Sequence, residues 1–142
     1  MLRNIPPILS PELLKIMREM GHGDVLILAD ANFPAATCAK RLIRADGIEA
    51  TDLLDAVLRF FPLDVYVQNP VSLMKPAPQD PTPTIWRKYA EIIRDRDEEK
   101  AFSDFELIER MAFYEFAKDA FAVVQTGTTA KYANICIKKG VL

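Results

Sequence analysis

The sequence predicts an α/β fold, a sheet covered by helices on both faces, and three features predict it. Short apolar runs of strand length alternate with amphipathic helical stripes along the chain. Val25-Leu26-Ile27-Leu28-Ala29 is apolar at every position, as a strand buried on both faces requires. The 142 residues are the size of one domain, able to bury roughly two-thirds of its unfolded surface in a single core. One domain over residues 1–142 is therefore expected.

The first helix opens at Ser10-Pro11-Glu12: a hydroxyl to cap it, a proline where the missing N–H costs nothing, and an acid at the positive helix end. Leu13, Leu14, Ile16, Met17 and Met20 recur at helical spacing, and Gly21 suits a left-handed C-terminal cap. Residues 21–24 then lead into the strand 25–29. A short helix can start at Pro34 or Ala35, and Arg41 to Arg44 reads as a second short strand. Thr51 to Phe61 puts Leu53, Leu54, Val57, Leu58 and Phe61 on one helical stripe. Asp64 to Leu73 has the β-branched and aromatic content of a strand. Pro76, Pro78, Pro81 and Pro83 exclude regular structure until a helix over Thr84 to Arg96, and so predict an exposed loop. The last third reads as a strand (Phe105 to Arg110), a helix (Ala112 to Ala120), a strand (Phe121 to Gln125), a Thr126-Gly127 turn and a final strand (Asn134 to Ile137). In such folds sites gather where strands end and loops begin.

Composition excludes several partners. The 18 Lys and Arg and 20 Asp and Glu are interspersed, with a net charge of -2, so no basic face exists for a phosphate backbone and no nucleic acid is expected. Arg94 to Lys100 carries both signs and reads as a solvated helix end. The stretch from Met1 to Pro11 has two consecutive prolines and no long apolar run; neither signal peptide nor membrane span is expected, and a cytoplasmic location is. Cys38 and Cys136 lie in no paired-cysteine motif, so buried reduced thiols are expected and a metal site is not.

His22 is the only histidine, and histidine is the side-chain type that exchanges protons near neutral pH without special tuning. Gly21 and Gly23 keep side-chain bulk away from it, and Asp24 or Asp30 is placed to orient the ring; the alternative is an exposed loop residue. Asp30 closes the apolar strand before Ala31, Asn32 and the turn Phe33-Pro34. It reads either as an active-site acid or as the cap of the short helix that follows. Arg110 offers several fixed donors to ligand hydroxyls, or pairs with Glu109 or Glu115. Tyr132 and Asn134 can each donate and accept beside the last strand, or serve as an aromatic cover and a turn asparagine. The chain has no Gly-x-Gly-x-x-Gly fingerprint, phosphate loop, histidine cluster or Gly-x-Ser-x-Gly elbow, so no cofactor is expected. Proton transfer by one histidine, with a carboxylate and hydroxyl-binding side chains around it, is what remains.

Ile8-Leu-Ser-Pro-Glu-Leu-Leu-Lys15, Met20-Gly-His-Gly-Asp24 and Asp30-Ala-Asn-Phe-Pro-Ala35 resemble the L-fucose mutarotase and D-ribose pyranase family. Ile43-Arg-Ala-Asp-Gly47, Ala112-Phe-Tyr-Glu115, Ala130-Lys-Tyr-Ala-Asn-Ile135 and Lys138-Lys-Gly140 continue the likeness in the same order. Residues from about Gln68 to Lys100 carry no matching motif, and Asn32 stands where some relatives have histidine.

The resemblance implies a three-layer α/β/α domain with a mixed β-sheet and an isomerase that needs no cofactor. It implies that His22 is the catalytic proton carrier and that Asp30, Arg110, Tyr132 and Asn134 bind the sugar. Arginine at position 110 is similar to the fucose branch, where ribose pyranases carry histidine, so the expected activity is exchange of the α and β anomers of free L-fucose. The resemblance further implies a homodecamer of stacked rings, with sites shared between neighbouring subunits. The alternatives are pyranose–furanose exchange of ribose and a non-catalytic sugar-binding subunit of an uptake system.

Overall fold

In the computed structural model, which describes residues 1–142, the chain runs α1 (Pro11–Glu19), β1 (Val25–Ala29), α2 (Ala35–Cys38), β2 (Leu42–Ala45), α3 (Ala50–Leu58), β3 (Val71–Met74), α4 (Ile85–Arg96), β4 (Glu106–Ile108), α5 (Arg110–Asp119), β5 (Ala122–Thr126) and β6 (Ile135–Lys138). The strands form one sheet in the order β2-β5-β1-β6-β3-β4. β5 pairs in parallel with β1 and β2, and β3 with β4, whereas β6 runs antiparallel to both of its neighbours, β1 and β3. The expected mixed sheet is thus five strands pointing one way and one pointing back.

Alternation along β1 sends Leu26 and Leu28 to one face and Ile27 and Ala29 to the other. The first face packs on α1, α3 and α4 through Leu13, Ile16, Leu53, Leu54, Val57, Tyr89 and Ile93. The second packs on α2 and α5 through Cys38, Phe113 and Ala117. Helices on both faces give the three layers and explain why β1 is apolar throughout. Each fully buried leucine contributes about 1.5–3 kcal/mol to this core.

Local chemistry sets the helix ends. Ser10 Oγ accepts the Leu13 N–H at 3.2 Å, and Pro11 is the first helical residue, as the sequence predicts. The C-terminal end differs from expectation. α1 stops at an extended Met20, and the residue with positive φ is Gly23 (φ 85°) rather than Gly21. The free carbonyls of α1 are capped instead by a side chain remote in sequence: Lys139 Nζ donates to Met17 O at 2.7 Å and Met20 O at 2.6 Å. The expected strand over residues 64–73 shortens to β3, because Pro70 at its entrance has no N–H to give to a ladder; its carbonyl accepts from Lys138. Arg110 opens α5 instead of ending a strand. Glycine is required at position 127, where an added Cβ would lie 2.7 Å from Gly47 N.

Candidate functional site

Because β6 alone is antiparallel, the residues just before it reach the edge where the parallel strands end. Asp30 follows β1, Met74 ends β3, Arg110 comes two residues after β4, and Tyr132 and Asn134 lead into β6. There they line a cavity of about 300 Å³ together with Asn32, Phe33, Asp80 and Tyr114. Four of the five side chains singled out from the sequence, Asp30, Arg110, Tyr132 and Asn134, are brought together in it.

Each of the four is held in a way that leaves particular groups free. The Asp30 N–H donates to Asn134 Oδ1 at 2.8 Å, which orients the amide and sets its NH₂ beside the Asp30 carboxyl, where it favours the ionised form. Asp30 Oδ1 accepts the Asn32 N–H at 3.0 Å, so this carboxylate shapes its own turn. It does not cap α2, whose N-cap is Pro34 without a side-chain bond. Burial pushes the Asp30 carboxyl above its ordinary range, with the backbone N–H of Asn32 opposing that rise. Arg110 pairs with neither Glu109 nor Glu115, which face Lys75 and Lys118. Its guanidinium lies 5.8 Å from the Tyr114 ring centroid and keeps its donors for a ligand. Tyr132 takes a left-handed φ of 55°, rare for a bulky residue. Its carbonyl accepts from Trp86 Nε1 at 2.9 Å, and its hydroxyl donates to Asp80 Oδ2 at 2.6 Å and accepts from the Ala77 N–H at 3.2 Å.

His22 is not in this cavity. It precedes β1 whereas Asp30 follows it, and the strand between them spans about 16 Å at ~3.3 Å per residue. At that opposite edge the imidazole Nε2 lies 3.0 Å from Asp64 Oδ1, and its ring centroid is 5.5 Å from that of Tyr66. The orienting carboxylate is therefore Asp64, not Asp24 or Asp30; Asp24 instead accepts the Gly21 N–H at 2.8 Å. Burial would raise the Asp64 carboxyl, but the Tyr66 N–H and His22 outweigh it and hold it below its ordinary value. An ionised carboxylate only accepts, so His22 Nε2 carries the proton and Nδ1 is the nitrogen left for chemistry. The loop is pinned by Gly23 N donating to Lys139 O and Lys139 N to Asp24 O, both at 2.8 Å.

Sequence reasoning missed Asp64 and Asp80. Their partners His22 and Tyr132 lie 42 and 52 positions away, so no local spacing announces them. No three His, Cys, Asp or Glu side chains stand close enough to hold a metal ion, and no helix is long and apolar enough to cross a membrane.

Comparison with known proteins places the chain in a family and matches its fold. Residues 3–142 match the model of the RbsD / FucU transport protein family. The fucose mutarotase of Mus musculus is 48% identical, over 99% of this chain and 95% of its own length. A crystal structure of the fucose mutarotase from Streptococcus pneumoniae in complex with L-fucose superposes with a TM-score of 0.92 at 45% identity, covering 99% of each chain. Bacillus subtilis RbsD complexed with D-ribose shares the fold, with a TM-score of 0.71 at 22% identity over 94% of this chain and 95% of that one.

Proposed function

This chain belongs to the RbsD / FucU transport protein family, and we propose that it is an isomerase that interconverts the α and β anomers of free L-fucose. The observation that carries the reading is the convergence of Asp30, Arg110, Tyr132 and Asn134 in one cavity of sugar-binding size. The choice of fucose follows the relatives: one captured with L-fucose is similar over the whole chain, whereas the relative captured with ribose is distant.

In this reaction a base takes the anomeric hydroxyl proton while an acid protonates the ring oxygen, and the bond from the anomeric carbon to that oxygen breaks. The open aldehyde turns about its bond to the next carbon. The ring oxygen then attacks the other face, and the proton transfers reverse. A positioned acid or base contributes about a hundred- to ten-thousandfold, enough for a reaction that already proceeds in water. His22 Nδ1 is the proposed proton carrier, with Nε2 anchored on Asp64. Asp30 accepts sugar hydroxyl protons; Arg110 and the Asn134 amide donate to sugar oxygens.

His22 and the cavity sit at opposite edges of one chain, so the proposed site is completed by a second copy. Two different exposed apolar patches support this: Val65 and Tyr66 (73% exposed) beside His22, and Leu107 and Met111 (71% exposed) beside Arg110. Joining unlike patches is a head-to-tail contact, which closes into a ring when its rotation divides a full turn; two rings stacked as a homodecamer is the proposed assembly. Both cysteines are free and buried, which suits the reducing cytoplasm.

Saturation-transfer NMR on the anomeric protons, with L-fucose and D-ribose in parallel, tests the proposal. Faster exchange for L-fucose supports it. Acceleration of ribose alone would move the activity to pyranose–furanose exchange, and binding without acceleration would make the protein a sugar-binding subunit.

A further inference from the structure

Asp80 is the one carboxylate at the cavity that neither the sequence motifs nor the mechanism above uses. It comes from the segment between β3 and α4, where Pro76, Pro78, Pro81 and Pro83 restrict the backbone. The chain enters this segment anchored, with Lys75 N donating to Ile108 O at 2.8 Å, and turns on Asp80 N donating to Ala77 O at 2.9 Å. A stiff, anchored loop can hold a carboxylate in one place without a helix or strand beneath it.

What Asp80 touches is the Tyr132 hydroxyl, whose single proton it accepts at 2.6 Å. The Ala77 N–H fills one acceptor direction of the same oxygen at 3.2 Å. A phenol has one proton to give, so Tyr132 has nothing left to donate to a ligand and one direction left in which to accept. The Trp86 bond to the Tyr132 carbonyl and the left-handed backbone at residue 132 fix the ring from its other end. Asp80 and Tyr132 also stand together on the boundary between this cavity and a neighbouring one of about 380 Å³.

We infer that Asp80 is a positioning residue for sugar binding: by accepting the hydrogen bond of the Tyr132 O–H it makes the phenol oxygen an obligate hydrogen-bond acceptor toward the ligand, selecting a sugar hydroxyl that donates there. The cavity then offers hydroxyl acceptors at Asp30 and Tyr132 and donors at Arg110 and Asn134, a polarity that reads the orientation of a polyhydroxylated ring. Without Asp80 the phenol can rotate its proton toward the ligand, and ligand donors and the tyrosine donor then oppose each other.

This inference rests on the fucose reading, and the experiment separates the two. Anomer exchange of L-fucose is measured by saturation-transfer NMR over a range of sugar concentrations for the wild type, Asp80→Ala, Asp80→Asn, Tyr132→Phe and the Asp80→Ala/Tyr132→Phe pair. Loss of a hydrogen bond to a charged group corresponds to about a tenfold to hundredfold change. Asp80→Ala is expected to raise the half-saturating fucose concentration by that factor while changing the maximal rate less. Asp80→Asn, whose side-chain carbonyl still accepts the phenol proton, retains most of the affinity. In the Tyr132→Phe background Asp80→Ala has little further effect, because the group it acts through is gone. Wild-type affinity in Asp80→Ala, or an undiminished loss when Tyr132 is already phenylalanine, would overturn the inference while leaving the fucose activity standing. An inactive wild type would instead overturn the fucose reading and with it this one. Should Asp80→Ala fail to fold, the comparison of Asp80→Asn with Tyr132→Phe decides: a loss in the former as large as in the latter overturns the inference.

Discussion

Replacing Asp64 with asparagine tests whether the carboxylate holds His22 in the form the mechanism needs. Asp64 is buried and accepts two bonds through Oδ1, from the Tyr66 N–H and from His22 Nε2, each at 3.0 Å. A hydrogen bond to a charged group is worth about 1.5–3 kcal/mol, and the His22 side chain is 45% exposed, which screens its share. The expected loss at neutral pH is about 1–2 kcal/mol, or a fall in melting temperature of about 3–6 °C at fixed protein concentration. The pH dependence has a defined sign. The Asp64 carboxyl is held below its ordinary value in the folded protein, so its contribution is present above the unfolded pKa of ~3.9 and is lost as pH falls through the folded value. The gap between wild type and Asp64→Asn should therefore be full at neutral pH and close in acid. With a neutral amide oxygen in place of the carboxylate the Nε2 proton is held less tightly, and fucose exchange should slow by about five- to thirtyfold, the same energy read as a rate. Denaturant unfolding from neutral to acid pH, paired with NMR exchange rates, measures both. A gap that persists unchanged in acid, or a full exchange rate in the variant, would refute the anchoring role.

Two further predictions follow from the same geometry. Since His22 and Asp30 lie at opposite sheet edges, His22→Ala and Asp30→Ala should each be inactive alone, yet recover part of the fucose exchange when unfolded and refolded as a mixture, because hybrids of the proposed assembly would contain some intact sites; no recovery would contradict a shared site. Gly127→Ala places a methyl 2.7 Å from Gly47 N, where the Gly127 N–H already donates to Ile48 O at 2.9 Å; thermal unfolding should show a loss of about 1–3 kcal/mol, and an unchanged melting temperature would mean that the contact yields freely.

Much of the architecture was legible because it is local. The Ser10-Pro11 start of α1, the fully apolar β1 and the stripe in α3 each state their structure within a few residues. The errors fell where a distant partner decides the outcome. α1 is capped by Lys139 rather than Gly21, and residues 64–70 are loop because Asp64 serves His22 and Pro70 cannot join a ladder. The direction of β6 has no local signature, yet it delivers Tyr132 and Asn134 to the edge where Asp30 ends its strand. The sequence singles out His22 as a candidate proton carrier at the start of β1 but gives no sign that Asp64, 42 positions on, is its partner. Asp80 lay hidden in a segment whose prolines advertise only a loop.

Whether His22 carries the proton in anomer exchange of L-fucose is decided by saturation-transfer NMR on wild type and His22→Ala at equal sugar and protein concentrations. Faster exchange is expected with the wild type, and a loss of about a hundredfold or more in a variant that keeps its fold. Equal rates for the two proteins would contradict that role.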